Sequence, residues 1–176
     1  AGGGVIIANA SSELTQMSDL LMAPVATTFM GKGAFPENHP LSVGSIGMHG
    51  NPAANRLMGE ADLLFAVGTR FSDRATANLN SFAPNAKKIH LDIDAAEIGK
   101  NIDVDLAVIG DAKISMQMIY AATQKKLQKK EGESWTKRVK EVKEKLIPLM
   151  METPRDLNPK SLLTELRKLL PENAIV

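Results

Sequence analysis

Six short segments contain residues suited to binding a phosphate group or a nucleotide. Glycines let backbone N–H groups approach a phosphate, arginines bind a pyrophosphate or a carboxylate through paired hydrogen bonds, and an acidic residue after a strand holds ribose hydroxyls. Each segment alone fits a turn, a helix cap or an ion pair about as well, but six in one small domain favour a dinucleotide site. The segments are Gly2-Gly3-Gly4, Thr28 to Gly33, Gly47 to Asn51, Gly68 to Arg74, Asp92 to Lys100, and Gly110-Asp111.

Structural roles remain open for several of these residues. Asp94 is able to cap a helix with Glu97 completing a capping box, and an ion pair of Asp73 with an arginine would explain the Gly68 to Arg74 segment without a ligand. His90 lies in an apolar run and is predicted to be a core or sheet residue. The three histidines form no cluster with ligand spacing, so no metal site is predicted. No nucleophile setting is recognisable, so no catalytic residue is predicted in this chain.

These segments are expected to lie at the carboxyl ends of parallel strands. Short apolar runs alternate with amphipathic stretches up to about residue 122, which is typical of β-α-β units. The predicted strands are 25–29, 63–67, 89–93 and 106–109, and their apolar character on both faces indicates a sheet that is covered on both sides. The predicted helices are Ser11 to Leu21, Asn51 to Gly59 and one that begins near Ala112.

The composition changes after residue 122. Residues 123–158 are predicted to form a helical, charged linker with a Lys/Glu-rich helix from Trp135 to about Leu146. Residues 159–176 are predicted to begin a further module, with a helix from Leu162 to Leu170 and then a turn that enters a strand. The basic run 124–131 is interpreted as a solvated surface, because glutamate is interleaved and only one aromatic residue is near.

Charge and composition make several functions unfavourable. The formal net charge is +1, which gives no overall field to attract nucleic acid or an anionic membrane. The absence of cysteine excludes disulfides, zinc-thiolate sites and a thiol nucleophile, and indicates a cytoplasmic protein. No apolar run approaches the roughly 20 residues needed to span a bilayer. Both ends of the chain, Ala1 and Val176, are expected to be cut points inside a longer protein.

The six segments, in this order and at these spacings, resemble the central domain of the large catalytic subunit of acetolactate synthase (acetohydroxyacid synthase). That family depends on thiamine diphosphate. The resemblance covers about residues 1–120 closely, and residues 155–176 resemble the opening of the family's C-terminal thiamine-diphosphate domain. Two departures are visible: Ser72 stands where the family usually has aspartate, and Phe29 stands where leucine is common.

The resemblance implies an α/β fold: a Rossmann-like three-layer sandwich with a mostly parallel sheet of up to six strands. Its first strand would be truncated, unless Val5-Ile6-Ile7 takes that place. The domains implied are a central FAD-binding domain (1–122), the linker (123–158) and the truncated start of the thiamine-diphosphate domain (159–176). The parent enzyme decarboxylates pyruvate and condenses the two-carbon unit with a second 2-keto acid, in branched-chain amino acid biosynthesis. The flavin takes no net part in that reaction.

The resemblance also implies partners and site residues. Thiamine diphosphate and magnesium are held by the missing N- and C-terminal domains of the same chain, and the fragment alone is expected to be inactive. The parent is a homodimer or homotetramer that a small regulatory subunit is able to join. Contacts to FAD are implied for Gly2, Gly3, Gly4, Thr28, Phe29, Met30, His49, Gly50, Gly68, Thr69, Arg70, Asp92, Ile93, Glu97, Gly110 and Asp111. A place near the substrate channel is implied for Met48, Asp73 and Arg74.

Two other interpretations stay open at the level of sequence. One is another thiamine-diphosphate enzyme, such as a pyruvate oxidase or a glyoxylate-condensing enzyme, although the arginine pair Arg70 and Arg74 favours the synthase. The other is a free-standing nucleotide-binding module related to sirtuins or transhydrogenase domains. Release of FAD on denaturation would support the thiamine-diphosphate enzymes, and binding of NAD would support the free-standing module.

Overall fold

The computed structural model describes residues 1–127, 133–151, 158–171 and 174. The helices in this part of the chain are α1 (Gly3–Ile7), α2 (Ser11–Leu21), α3 (Pro52–Glu60), α4 (Asp73–Thr76), α5 (Ala112–Gln124), α6 (Glu133–Met151) and α7 (Pro159–Leu169). The strands are β1 (Val25–Thr27), β2 (Ser42–Ser45), β3 (Leu63–Val67), β4 (Lys87–Asp92) and β5 (Leu106–Ile109). The predicted helices are confirmed within one to five residues at their ends.

All described strands are parallel and fall into two sheets. β1 pairs with β2, and the second sheet has the order β3-β4-β5. The α/β class is therefore confirmed. The strand predicted over 25–29 is shorter than expected, because Phe29–Gly31 forms a 3-10 helix in which the Thr28 hydroxyl accepts the Gly31 N–H. β2 was not predicted.

The first two residues connect the two sheets. The Ala1 amine donates to the Ala26 carbonyl in β1 at 2.7 Å, and the Thr28 N–H donates back to the Ala1 carbonyl at 2.9 Å. On the other side, the Gly2 N–H donates to the Val67 carbonyl in β3 at 2.9 Å. Ala1 and Gly2 therefore occupy the position of a strand end between β1 and β3.

The alternative in which Val5-Ile6-Ile7 replaces the first strand is wrong. These residues belong to α1, and Val5 is fully buried beneath it. The reason is steric: Gly2 and Gly4 pass so close to the backbone of Gly68 that the chain has to leave the plane of the sheets directly after Gly2. Three consecutive aliphatic residues favour a strand only where a neighbouring strand edge is free to pair with them.

The two faces of the sheets are covered by different clusters of apolar side chains. Adjacent strand residues point to opposite faces, and accordingly Val67 belongs to one cluster and Ala66 to another. The first cluster lies under α1, α2 and α5 and includes Val5, Leu14, Val67, Leu91 and Met116. The second and third lie on the opposite face, and include Val43, Leu57, Val139 and Val142 on one side and Ala66, Phe71 and Phe82 on the other.

The charged helix α6 packs on the domain as well as linking to α7. Val139 and Val142 are buried against α3 and β2, and Arg138 donates to both carboxylate oxygens of Glu60 at 2.8 Å. These hydrogen bonds, with those from Arg56, lower the pKa of Glu60 to about 2, although burial opposes them. The sequence analysis predicted the helix but not that one of its faces is buried.

The last described helix, α7, begins with a capping box formed by Asn158 and Ser161. Leu162, Leu163 and Leu166 are exposed at helical spacing. Residues 128–131 of the basic run, Pro154 in the linker, and Ile175 and Val176 of the predicted final strand lie outside the described residues. Within the described part, no helix is long and apolar enough to cross a membrane.

Candidate nucleotide-binding edge of the sheets

The six predicted segments lie side by side along one edge, at the carboxyl ends of the strands. A continuous series of backbone hydrogen bonds joins them, with N···O distances from 2.8 to 3.0 Å. Open α/β sheets bind ligands at this edge. In order along the edge, the N–H to carbonyl bonds are Ile46 to Thr27, Thr28 to Ala1, Gly2 to Val67, Gly68 to Leu91, and Gly110 to Asp92.

The glycines at the start of the chain allow two backbones to cross. A Cβ atom on Gly2 would lie 2.1 Å from the Gly68 carbonyl oxygen, and one on Gly4 would lie 2.6 Å from the Gly68 Cα. Gly68 itself has φ +57°, a conformation that favours glycine. These positions therefore require glycine for internal packing, whereas the structural alternative stated from the sequence was a turn. The Gly3 N–H has no acceptor among the described residues and is free to bind a ligand.

Two exposed apolar side chains follow β1. The Thr28 hydroxyl accepts the Gly31 N–H at 3.2 Å and so holds the 3-10 turn, while Gly31 passes against the Ala1 carbonyl. This turn leaves Phe29 85% exposed and Met30 69% exposed. A flat aromatic ligand would cover such a surface.

The segment after β2 packs against the segment after β3. The Met48 N–H donates to the Arg74 carbonyl at 3.0 Å, and a Cβ atom on Gly47 would lie 2.1 Å from that same oxygen. Asn55 on α3 binds both the N–H and the carbonyl of Gly47, at 3.0 and 2.9 Å. The sequence analysis did not identify Asn55 as a site residue. Its only signal is its position one turn after Asn51, the N-cap of α3, close to the Gly47 loop. Met48, Asp73 and Arg74, predicted together, are therefore neighbours.

Both arginines of the segment after β3 point away from the core. Arg70 and Arg74 are exposed, and neither forms an ion pair with any residue that the structure describes. The alternative of an Asp73 ion pair is not seen there; the Asp73 carboxylate instead accepts the Arg74 backbone N–H at 2.8 Å. The Arg70 carbonyl is held by the Asn101 side chain at 2.7 Å, a contact that the sequence did not predict. Ser72 precedes α4, and its side chain forms no cap there.

Backbone donors accompany the arginines. The N–H groups of Thr69 and Arg70 have no acceptor in the described part of the chain. Together with the Gly3 N–H and the Arg70 guanidinium, they form a set of donors on neighbouring loops, which suits an anion such as a pyrophosphate.

The acidic residues after β4 and β5 act first as caps. Asp94 accepts the Ala96 N–H at 2.9 Å, and Asp111 accepts the Ile114 N–H at 3.0 Å at the start of α5. The capping box with Glu97 does not form, because the Asp94 N–H donates to the Asp92 carboxylate and not to the Glu97 carboxylate. Glu97 instead pairs with Lys100 at 2.9 Å.

One carboxylate oxygen here is unpaired. Oε2 of Glu97 is buried and has no hydrogen-bond partner among the described residues. A buried acceptor without a donor is costly, and a ribose hydroxyl is a donor of suitable chemistry. Ile93, beside it on the edge, is 72% exposed. His49 and Gly50 were also predicted to contact the ligand. His49 is exposed, whereas Gly50 is partly buried and packed too tightly against Ile46 to accept a side chain.

The first residue is electrostatically unusual. The Ala1 amine is partly buried between the two sheets, and this burial lowers its pKa from 8.0 to about 5. No carboxylate among the described residues forms an ion pair with it. Open clefts of about 710 and 410 Å³ lie against α6 and beside Phe82 and Ile102; the second is also lined by Gly99 and Lys100 of the segment after β4. The edge itself is an open surface. No group of three or more potential metal ligands occurs among the described residues.

The chain is similar to known proteins over its whole length. Residues 1–119 match the family described as thiamine pyrophosphate enzyme, central domain. A probable acetolactate synthase large subunit of Methanocaldococcus jannaschii is 47% identical over 172 residues, which are 98% of this chain and 29% of the relative. The acetolactate synthase large subunit of Parasynechococcus marenigrum is 40% identical over 97% of this chain and 28% of its own length. The acetolactate synthase of Mycobacterium avium is 52% identical over 112 residues, 64% of this chain and 18% of the relative.

These similarities confirm the resemblance stated from the six segments. The chain spans less than a third of the length of the relatives it matches. The match to the family extends over the described edge, from the glycine crossing at Gly2 to the cap of α5 at Asp111. The chain belongs to the thiamine pyrophosphate enzymes, and residues 1–119 are the central domain of that family.

Proposed function

We propose that the carboxyl edge binds FAD and that the chain is the central domain of an acetolactate synthase large subunit. The observation that carries the proposal is the continuous edge, which carries exposed apolar side chains, an arginine that pairs with no described residue, and backbone N–H groups that have no acceptor in the described part of the chain. The relatives named acetolactate synthase support the identity of the parent.

The residues present fit a flavin dinucleotide. The pyrophosphate would be bound by the Arg70 guanidinium and by the N–H groups of Gly3, Thr69 and Arg70. The unpaired Glu97 oxygen would accept a hydroxyl of the adenosine ribose. Exposed Phe29 and Met30 would pack on the flat ring system. Thr28, Asp92, Gly110 and Asp111 shape these loops through their own hydrogen bonds.

The remaining exposed residues suit a second ligand. Met48, Asp73 and Arg74 lie together beside the carboxyl edge. The Arg74 guanidinium forms no ion pair with any described residue, so it is able to bind the carboxylate of a substrate. We assign them to the channel by which 2-keto acids reach thiamine diphosphate, which supplies the carbanion chemistry when it is bound by the other domains. This chain positions substrate and flavin, and we expect no turnover of pyruvate by these 176 residues alone.

The two observed sheets are proposed to be halves of one Rossmann-like sheet. A parallel strand running into Ala1 would pair with β1 and β3, because Ala1 and Gly2 already make strand-like hydrogen bonds to both. The sheet would then have six strands between two layers of helices. The division into residues 1–122, 123–158 and 159–176, with flanking domains, a homodimer or homotetramer and a small regulatory subunit, belongs to the same proposal.

The experiment is a titration of the chain with FAD, followed by quenching of flavin fluorescence. Substituting Arg70→Met is expected to weaken binding of FAD about tenfold or more, as expected for one lost charged hydrogen-bond pair. Arg56→Met is the matched control, since Arg56 is an exposed arginine on α3, away from the edge. Equal affinity of the three proteins, or preference for NAD over FAD, would contradict the proposal. An assay for acetolactate formed from pyruvate tests the expected inactivity.

A further inference from the structure

His90 is a fully buried histidine that has no role in the proposed FAD site as described above. It lies in β4, two residues before Asp92, with a relative exposure of 0%. Its ring packs edge-on against Phe71, with ring centres 4.9 Å apart and planes inclined by 78°. Phe71 ends the turn that carries Arg70.

The hydrogen bonding of His90 is one-sided. Nε2 is 2.9 Å from the Thr69 carbonyl oxygen, and because a carbonyl only accepts, Nε2 carries the hydrogen and donates. Nδ1 is buried and has no partner among the described residues. Oδ2 of Asp92 lies 3.8 Å from Nε2, which is beyond a hydrogen bond. A phenylalanine in this place would leave no buried nitrogen unpaired, so packing alone does not explain the imidazole.

The bond to Thr69 sets the direction of the following amide. In a planar trans peptide, the carbonyl and the next N–H point in opposite directions. His90 draws the Thr69 carbonyl towards the core, so the Arg70 N–H faces away from the core, where it has no acceptor among the described residues. The same turn contains Phe71 at φ +50°, an unfavourable conformation for a residue with a side chain. The Phe71 ring is held between His90 and Phe82.

We propose that His90 is a positioning residue for the anion site. By holding the Thr69–Arg70 peptide, it aims the Arg70 N–H at the same side as the Arg70 guanidinium, so that both donate to one diphosphate group. The inference rests on the proposed binding of FAD for the identity of that diphosphate. The positioning itself is a property of the free chain.

Three substitutions separate this role from simple packing. In His90→Gln, the side-chain amide nitrogen reaches the place of Nε2 and keeps the donor. In His90→Asn, the amide nitrogen stands at the place of Nδ1, and His90→Phe keeps the ring without any donor. We expect Asn and Phe to weaken FAD binding about tenfold, the size of one lost hydrogen bond to a charged group. We expect Gln to restore most of the affinity.

Phe82→Leu is the control, because it loosens the same cluster without touching Thr69. It should lower the free energy of unfolding in urea while leaving the FAD affinity of the folded protein within about twofold. Affinities that follow stability across all four variants, or that are equal in His90→Gln and His90→Phe, would overturn the positioning role.

A second readout does not need flavin. Nitrogen-15 NMR of the free chain should show a proton on Nε2 of His90, and inorganic pyrophosphate should shift the Arg70 amide in the wild type and in His90→Gln but not in His90→Phe. Failure of wild-type protein to bind FAD while these shifts appear would contradict the flavin assignment alone. A ring protonated on Nδ1 and not on Nε2, or a shifted Arg70 amide in His90→Phe, would contradict the role of His90.

Discussion

A polypeptide of these 176 residues carries a free amine at Ala1, and this amine makes a quantitative prediction about stability and pH. Its pKa is lowered from 8.0 to about 5 in the folded polypeptide, because the ammonium is partly buried between the two sheets. Acetylation of this amine removes the charge but keeps the N–H that donates to the Ala26 carbonyl. Acetylation is therefore the perturbation that isolates the cost of the charge.

The sign follows from proton binding in the two states. Below pH 5 the amine is protonated in both the folded and the unfolded chain, and the burial cost is present in full. Between pH 5 and 8 the unfolded chain binds more protons than the folded one, so stability rises with pH. Above pH 8 both states are neutral and the cost is gone. A shift of three pKa units corresponds to about 4 kcal/mol, which is an upper value for the change over this window.

The assay is urea unfolding of the free and the acetylated chain at pH 5, 6, 7 and 8. Other titrating groups contribute equally to both proteins, so the difference between the two curves reports the amine alone. Acetylation should stabilise the chain most at pH 5, by about 2–4 kcal/mol, and should have almost no effect at pH 8 and above. Parallel pH profiles for the two proteins would refute the burial of Ala1 between the sheets.

Four further substitutions test the packing and the site. Gly68→Ala should destabilise the chain by about 2–4 kcal/mol in urea unfolding, since the added Cβ meets the backbone of α1 at 2.6 Å; an unchanged midpoint would argue against the crossing. Gly59→Ala, which meets nothing within 4 Å in α3, should instead stabilise by about 0.5 kcal/mol. Arg138→Ala should lower the free energy of unfolding at pH 7; since Glu60 has a lowered pKa, that contribution should fade as the pH drops from about 4.5 towards 2. Arg70→Met should leave the free energy of unfolding unchanged while weakening FAD binding, because its side chain is exposed.

The sequence predicted most of the elements that depend on local pattern. β3, β4 and β5 are apolar runs ended by Gly or Asp, and α2, α3 and α5 carry apolar residues at helical spacing. β2 was not predicted because Ser42–Ser45 contains one strongly apolar residue, Val43. The segment is extended because it pairs with β1. Pairing partners are not visible in a local pattern.

The candidate site was predicted as a set of loops but not as a set of contacts. Gly2, Gly4 and Gly68 were interpreted as phosphate-binding glycines, whereas their first requirement is the close crossing of two backbones. Asn101 stands 31 positions from Arg70, whose carbonyl it binds. Such a long-range hydrogen bond follows from the fold and leaves no mark on spacing.

The burial of α6 was also not predicted. Its sequence is rich in Lys and Glu, but Val139 and Val142 are buried, and Trp135 and Leu146 are partly buried against the same cluster. These four apolar residues recur at helical spacing and mark one face of α6, a signal that the interpretation of the segment as a charged linker left unused. The ion pair of Arg138 with Glu60 completes that contact from residues 78 positions apart.

The most direct test of the central claim is a nitrogen-15 NMR titration of this chain with FAD up to millimolar concentration, which detects weak as well as tight binding. The account predicts shifts of the Gly3, Thr69 and Arg70 amides and of the loop around Glu97, all along the carboxyl edge. Shifts confined to the cleft against α6, or none at millimolar FAD, would contradict it.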